Sequence, residues 1–93
     1  MFTFTFDPAK ARTNQRKHRI TFEEAQTVFE NDPLAYTDFD PDHSEADLRY
    51  FTIGTSTQNR LLYIVHNEEE GSVIRLISAR RATTQERSLY EQG

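Results

Sequence analysis

Arg75, Arg80 and Arg81 crowd the end of an apolar run at residues 73–77, and there the chain concentrates residue types able to do chemistry. A guanidinium presents its donors in a planar fork that matches phosphate or carboxylate oxygens. Carried by a strand and not by a tail, such groups could build an anion site. A second basic concentration, Lys10, Arg12, Arg16, Lys17 and Arg19, lies near the front. Charge is segregated accordingly. Residues 1–20 hold five bases against one acid, net +4; residues 21–70 hold two against twelve, net −10; residues 71–93 hold four against two, net +2; the whole chain is −4. Salt screens distant charges, so two basic ends that met in space would bind phosphates despite the negative total. Arginines scattered over the surface without a common task are the alternative.

The same inventory excludes other chemistry. The chain has no cysteine, so it has no disulfide, no thiolate nucleophile and no zinc–thiolate site, and its default compartment is the cytoplasm. Asp38, Asp40 and Asp42 have the alternate spacing of a calcium loop. His43 stands where that loop requires glycine, however, and Arg49 where it requires a bidentate glutamate. Residues 40–47 therefore read as a solvated acidic loop, and no metal or other cofactor is expected. No apolar stretch approaches the roughly 18 residues of a membrane span, and no basic-then-apolar leader opens the chain. A soluble protein without membrane contact is expected.

The elements that must position the basic groups follow from pattern. A chain of 93 residues suits one domain, 1–93, with one modest core. Phe2, Phe4 and Phe6 alternate with threonines as a strand with one aromatic face. Asp7 and Pro8 read as N-cap and first residue of a helix that runs to about His18. Thr21 and Glu24 have the spacing of a capping box, and Phe22, Ala25, Val28 and Phe29 form the apolar stripe of a second helix that ends at residues 31–33. Strands are expected at 34–39 and 48–55, followed by a turn at 54–59. The uninterrupted run 61–65 reads as a central strand, paired antiparallel with 73–77 through a polar connection at 67–72 in which Gly71 supplies a positive φ. Along 73–79, strict alternation puts Ile74, Leu76 and Ser78 on one face and Val73, Arg75, Ile77 and Ala79 on the other. A terminal helix begins at Thr83 or Thr84, docked by Leu89 and Tyr90. The order is β-α-α-β-β-β-β-α, an α+β fold with helices packed on an antiparallel sheet. The expected core is Phe4, Phe22, Val28, Phe29, Ile53, Leu62, Ile64, Ile74, Leu76 and Leu89.

FDPAKARTNQRKHRITFEEAQTVF, the DP that follows it, and IRLISARRATTQERSLYE resemble the BrnT family, RelE-like ribonuclease toxins of bacterial type II toxin–antitoxin systems. The matched positions are Asp7, Pro8, Lys10, Asn14, Lys17, His18, Phe22, Glu23, Glu24 and Ala25, then Arg75, Ser78, Ala79, Arg80, Ala82, Glu86, Arg87 and Tyr90. Two positions depart from the family. Arg19 stands where glycine usually follows the Lys-His pair, and Glu68, Glu69 and Glu70 stand where the hairpin connection often has an arginine. The resemblance implies a RelE-like fold and a metal-independent endoribonuclease that cleaves RNA and inhibits translation. It also implies a cognate antitoxin that neutralises the chain as a hetero-oligomer.

Cleavage of RNA without metal proceeds by attack of a 2′-hydroxyl on the adjacent phosphate, and needs proton transfer plus cations for the charge that develops. On this resemblance His18 transfers the proton, since imidazole works in either direction near neutrality. Lys17, Arg75 and Arg80 join it as catalytic candidates, and Lys10, Arg60 and Arg81 are candidates for binding RNA. Each has a structural alternative: His18 also suits a helix C-terminus, where the dipole favours it, and Arg75 also suits a pair with a helix carboxylate. His43, His66 and Tyr90 read as structural. A second functional class stays open, a catalytically impaired module of the same fold that binds antitoxin or RNA, because carboxylates beside a phosphate site repel substrate.

Overall fold

The computed structural model describes residues 2–40 and 49–93. Asp42, His43 and the rest of the acidic stretch at 41–48 lie outside the described residues. The phenylalanine–threonine alternation forms β1 (Thr3–Thr5). Asp7 then caps α1 (Pro8–His18), accepting the Ala9 N–H at 2.9 Å. The helix stops at Arg19, which takes the left-handed conformation at φ 61° and donates its N–H to the Gln15 carbonyl. Glycine fits that closing position without steric cost.

Thr21 caps α2 (Phe22–Asn31) by accepting the Glu24 N–H at 3.0 Å. The expected capping box forms only by half, because the Glu24 carboxylate turns inward to Ser56 and Arg60 instead of back to the cap. The remaining elements are β2 (Tyr36–Phe39), β3 (Tyr50–Thr55), β4 (Leu61–Glu69), β5 (Val73–Arg81) and α3 (Thr84–Gln92). A complete capping box opens α3, with Thr83 and Glu86 each holding the other's backbone N–H.

The strands form one sheet in the order β1-β5-β4-β3-β2, so the apolar strand β4 is central as its composition requires. Strands β2 to β5 pair antiparallel, and β1 joins the outer edge of β5 in parallel, making the sheet mixed. The β4–β5 connection is shorter than expected. Asn67, Glu68 and Glu69 continue the strand opposite Arg75, Ile74 and Val73, leaving only 70–72 as the turn, with Gly71 at φ +76° and Ser72 at φ 63°. Ladder hydrogen bonds belong to the backbone, so solvated glutamates at a hairpin's open end do not prevent pairing.

Strict alternation along β5 fails at one residue. Val65 opposes Ser78 and the next residue, His66, opposes Leu76, so Ile77 is an inserted bulge residue. The extra residue reverses the phase. Ala79 rejoins Ile74 and Leu76 in the core, whereas Arg75, Ser78 and Arg80 oppose Asn67, Val65 and Tyr63, three alternate residues of β4, and so share the other face.

The sheet is covered on both faces. Under α1 and α2 lies the main core of Ile20, Phe22, Ala25, Val28, Leu62, Ile64, Ile74, Leu76 and Ala79, with Phe4 and Phe29 packed against it. Under α3 lies a smaller cluster of Phe51, Ile53 and Leu61, joined by Tyr63 and Tyr90. Leu89, expected in the core, is 43% exposed. Tyr90 docks the helix instead, its hydroxyl donating to Asp32 Oδ2 at 2.7 Å. Gly54 belongs to β3, opposite Leu62, and not to a turn; a Cβ there would stand 2.4 Å from Val28 Cγ1, so the glycine lets α2 approach the strand closely. The turn is 56–59, with Asn59 at φ 62°.

Candidate functional site

Helix α1 buries a narrow face, as so polar a sequence must. Ala11, Asn14 and His18 recur at three- and four-residue spacing and turn inward, and every lysine and arginine of the helix stays exposed. Asn14 is 5% exposed. Its Oδ1 accepts the Ala79 N–H at 3.0 Å, and its Nδ2 donates to the Ala79 carbonyl at 2.8 Å and the Ile20 carbonyl at 2.9 Å. Beyond Arg75 the outer edge of β5 has left β1 behind, and this amide bonds the edge as a neighbouring strand would.

That latch holds one flank of α1 against the bulge of β5. Between them lies a cleft of about 280 Å³ lined by Ala9, Lys10, Thr13, Asn14, Lys17, His18, Ile77 and Ser78. No carboxylate is among these residues. The cleft therefore combines two ammonium groups, an imidazole and two hydroxyls in a wall of one charge sign, a setting that attracts an anion and orients it. The bulge puts Ser78 in line with Arg75 and Arg80 on the sheet face that α3 covers, so the two guanidiniums stand along β5 from the cleft and not in its lining.

The arginines differ in what already engages them. Arg75 stands between Thr5 of β1 and Asn67 of β4 in the register and is exposed. Arg80 is clamped: Nη1 and Nη2 each donate to a Glu86 oxygen at 2.8 Å, and its guanidinium lies 4.3 Å from the Tyr63 ring centroid. Burial pushes the Glu86 carboxyl up, but Arg80 and the Thr83 N–H outweigh it and hold the group below the usual carboxylate range. Arg60 lies outside the cleft. It pairs with Glu24, which is 3% exposed and also accepts the Ser56 hydroxyl at 2.7 Å. Burial raises the Glu24 carboxyl, and Arg60 and Ser56 more than reverse this, so it too ionises below its ordinary range. Arg81 is exposed at the end of β5, and its charge acts on Glu24.

The structure thus brings Lys10, Lys17 and His18 together with Ser78, sets Arg75 and Arg80 along the same strand face, and takes Arg60 elsewhere. Ser78 and Thr13 were not candidates from sequence. Ser78 lines the cleft beside the bulge residue Ile77, and no residue type announces the bulge, whereas the inward phase of Asn14 with Ala11 and His18 was a readable signal. His66 is fully buried in β4, its Nε2 2.7 Å from Thr52 Oγ1 and its ring edge-on to Phe29. Burial pushes it down to about 4. Among the described residues no group of histidines and carboxylates has the arrangement to hold a metal, and no helix is long and apolar enough to cross a membrane.

The α+β fold is similar to that of the Brucella abortus ribonuclease toxin BrnT, whose crystal structure superposes with a TM-score of 0.67 at 23% identity, over 90% of this chain and 100% of that one. The sequence model of a family described as the ribonuclease toxin BrnT of type II toxin–antitoxin systems matches residues 6–86. The chain belongs to the BrnT family of ribonuclease toxins, which implies an antitoxin as its partner. No curated protein sequence matches the chain.

Proposed function

We propose that this chain is an endoribonuclease that cuts RNA in the cleft between α1 and β5 by a metal-independent route. It acts in the cytoplasm, inhibits translation by destroying its RNA target, and is silenced when its antitoxin covers the cleft. The observation that carries the reading is the lining itself: His18, Lys10, Lys17 and Ser78 around one cavity with no carboxylate among them. The 2′-hydroxyl gives its proton to the His18 imidazole as O2′ bonds to phosphorus. The bond from phosphorus to the 5′ oxygen breaks, and that oxygen takes a proton from solvent in the open cleft, leaving a 2′,3′-cyclic phosphate and a 5′-hydroxyl. Lys17, Lys10 and Arg75 hold the charge that builds on the phosphate oxygens, where fixed cations act most strongly. Arg80, engaged by Glu86, fixes α3 to the sheet.

Cleavage of a defined RNA by purified protein, with and without a chelator, tests this. His18→Ala lowers the rate by about 10²- to 10⁴-fold while RNA binding stays within a few-fold. A folded His18→Ala protein that cuts nearly as fast as the parent removes the imidazole from the mechanism, and a chelator that stops cleavage removes the metal-free route. One observation favours the second class, a binding module without catalysis: Glu69 lies two residues from Asn67 and shares the face of Arg75. Complete inactivity of the parent, restored by Glu69→Arg, would establish it.

A further inference from the structure

Helix α1 carries a second row of cations that the cleft does not use. Arg12, Gln15, Arg16 and Arg19 follow one another at helical spacing and line a separate, shallow depression of about 540 Å³. The spacing sets them about one helical turn apart along the opposite flank from Lys10 and Lys17. All four are exposed, and among the described residues none of the three arginines has an ion-pair or hydrogen-bonding side-chain partner. With Ala11, Asn14 and His18 as its only inward residues, α1 stands out from the sheet as a ridge with cations on both sides.

We propose that the outer row, Arg12, Arg16 and Arg19 with Gln15, binds a second run of RNA phosphodiester backbone, separate from the run that enters the cleft. The preferred substrate is therefore a folded RNA whose backbone passes on both flanks of α1, and not a short single strand. Guanidinium forks at regular intervals suit a polyanion with regularly repeated oxyanions, and the amide of Gln15, donor and acceptor at once, suits ribose or base edges between them. The two rows share one helix but no lining residue, so a backbone run held in the cleft leaves the outer row free for a second run. Residues 21–70, with a net charge of −10, repel RNA. This inference rests on the cleft being the RNA site.

The test measures binding in the full chain carrying His18→Ala, so that RNA stays intact and the result does not depend on catalysis. Affinities for a folded hairpin RNA and for a short single-stranded oligonucleotide are followed as salt is raised, with and without Arg12→Gln, Arg16→Gln and Arg19→Gln together. Each phosphate contact contributes about 0.7 to the slope of log affinity against log salt for a single strand. The triple substitution is expected to lower the hairpin slope by about 2 to 3, the duplex coefficient being about 0.9 per contact, and hairpin affinity on the order of tenfold, with a much smaller effect on the short strand. Lys10→Gln with Lys17→Gln is expected to weaken both ligands. Equal hairpin slopes for parent and triple variant would overturn the proposal, as would a triple variant that keeps RNA affinity but loses the antitoxin. If the unmodified chain cuts no RNA yet the slopes differ as expected, the catalytic reading fails and the outer row stands.

Discussion

Asn14 pairs with Ala79 as one strand residue pairs with another: its amide accepts the Ala79 N–H at 3.0 Å and donates to the Ala79 carbonyl at 2.8 Å. A single buried side chain thereby both satisfies the open edge of β5 and sets how far α1 stands from Ser78. Asn14→Leu strips two backbone groups of Ala79 and one of Ile20 of their partners. The loss is expected to be about 3 kcal/mol, at roughly 1 kcal/mol for each bond. For a domain of this size that lowers the melting temperature by more than about 10 °C. A melting point within a degree or two of the parent would show that solvent replaces the amide and that the latch does not hold the helix.

Arg60 and Glu24 give a sharper test, because one partner is nearly dry. Removing only the cation by Arg60→Met leaves a buried carboxylate uncompensated, at a cost of about 3–5 kcal/mol. Removing both charges by Glu24→Gln with Arg60→Met recovers most of that. Urea denaturation of the single and double variants checks the order. If Arg60→Met instead leaves stability unchanged and weakens RNA binding, Arg60 belongs to the RNA surface after all.

How much was legible beforehand can be judged from these same residues. Helix and strand positions follow from periodicity and caps, which are local, so Asp7, Pro8, Thr21 and Thr83 mark their helices correctly and the apolar run of β4 finds the sheet centre. Phase along β5 was not legible. One inserted residue, Ile77, reassigns every side chain after it, and bulges form where register demands them, not where a residue type does. Glu24 illustrates the other failure. Its spacing from Thr21 promised a local cap, but Ser56 and Arg60, distant in sequence, offered its carboxylate stronger partners. The cleft residues of α1 were readable as a basic group, and their opposition to Ser78 was not, because it depends on Asn14 bonding Ala79, a partner distant in sequence.

His66 makes stability depend on mildly acidic pH. Burial holds its ring neutral, with the folded pKa pushed down to about 4 from 6.5 in the unfolded chain. Between those values the unfolded chain binds a proton that the fold excludes, so acid favours unfolding. The contribution is complete above about pH 6.5 and falls away as pH drops towards 4, reaching about 3 kcal/mol. Urea midpoints measured through that window should therefore decline for the parent and decline much less for His66→Gln, which keeps a polar partner for Thr52. The depressed carboxyls of Glu24, Glu86 and Asp32 also make acid destabilising, but in both proteins alike. Parallel curves for the two would mean that the ring accepts its proton in place.

Arg19 joins the chain's conformation to its charge, and one substitution should move the two in opposite directions. At φ 61° a side chain with a Cβ is strained, whereas glycine is not. Arg19→Gly relieves the strain and is expected to stabilise the fold by about 1 kcal/mol, the usual preference for glycine where a helix closes left-handed. The same change removes one guanidinium from the outer row of α1, so RNA affinity falls and the salt slope drops by about 0.7. Arg19→Lys retains the charge and the strain together, and leaves both stability and slope near the parent's. Thermal melts and salt titrations of the two variants check each half. A glycine variant that is more stable and binds RNA with an unchanged slope would confine Arg19 to closing the helix and leave Arg12 and Arg16 to hold the backbone.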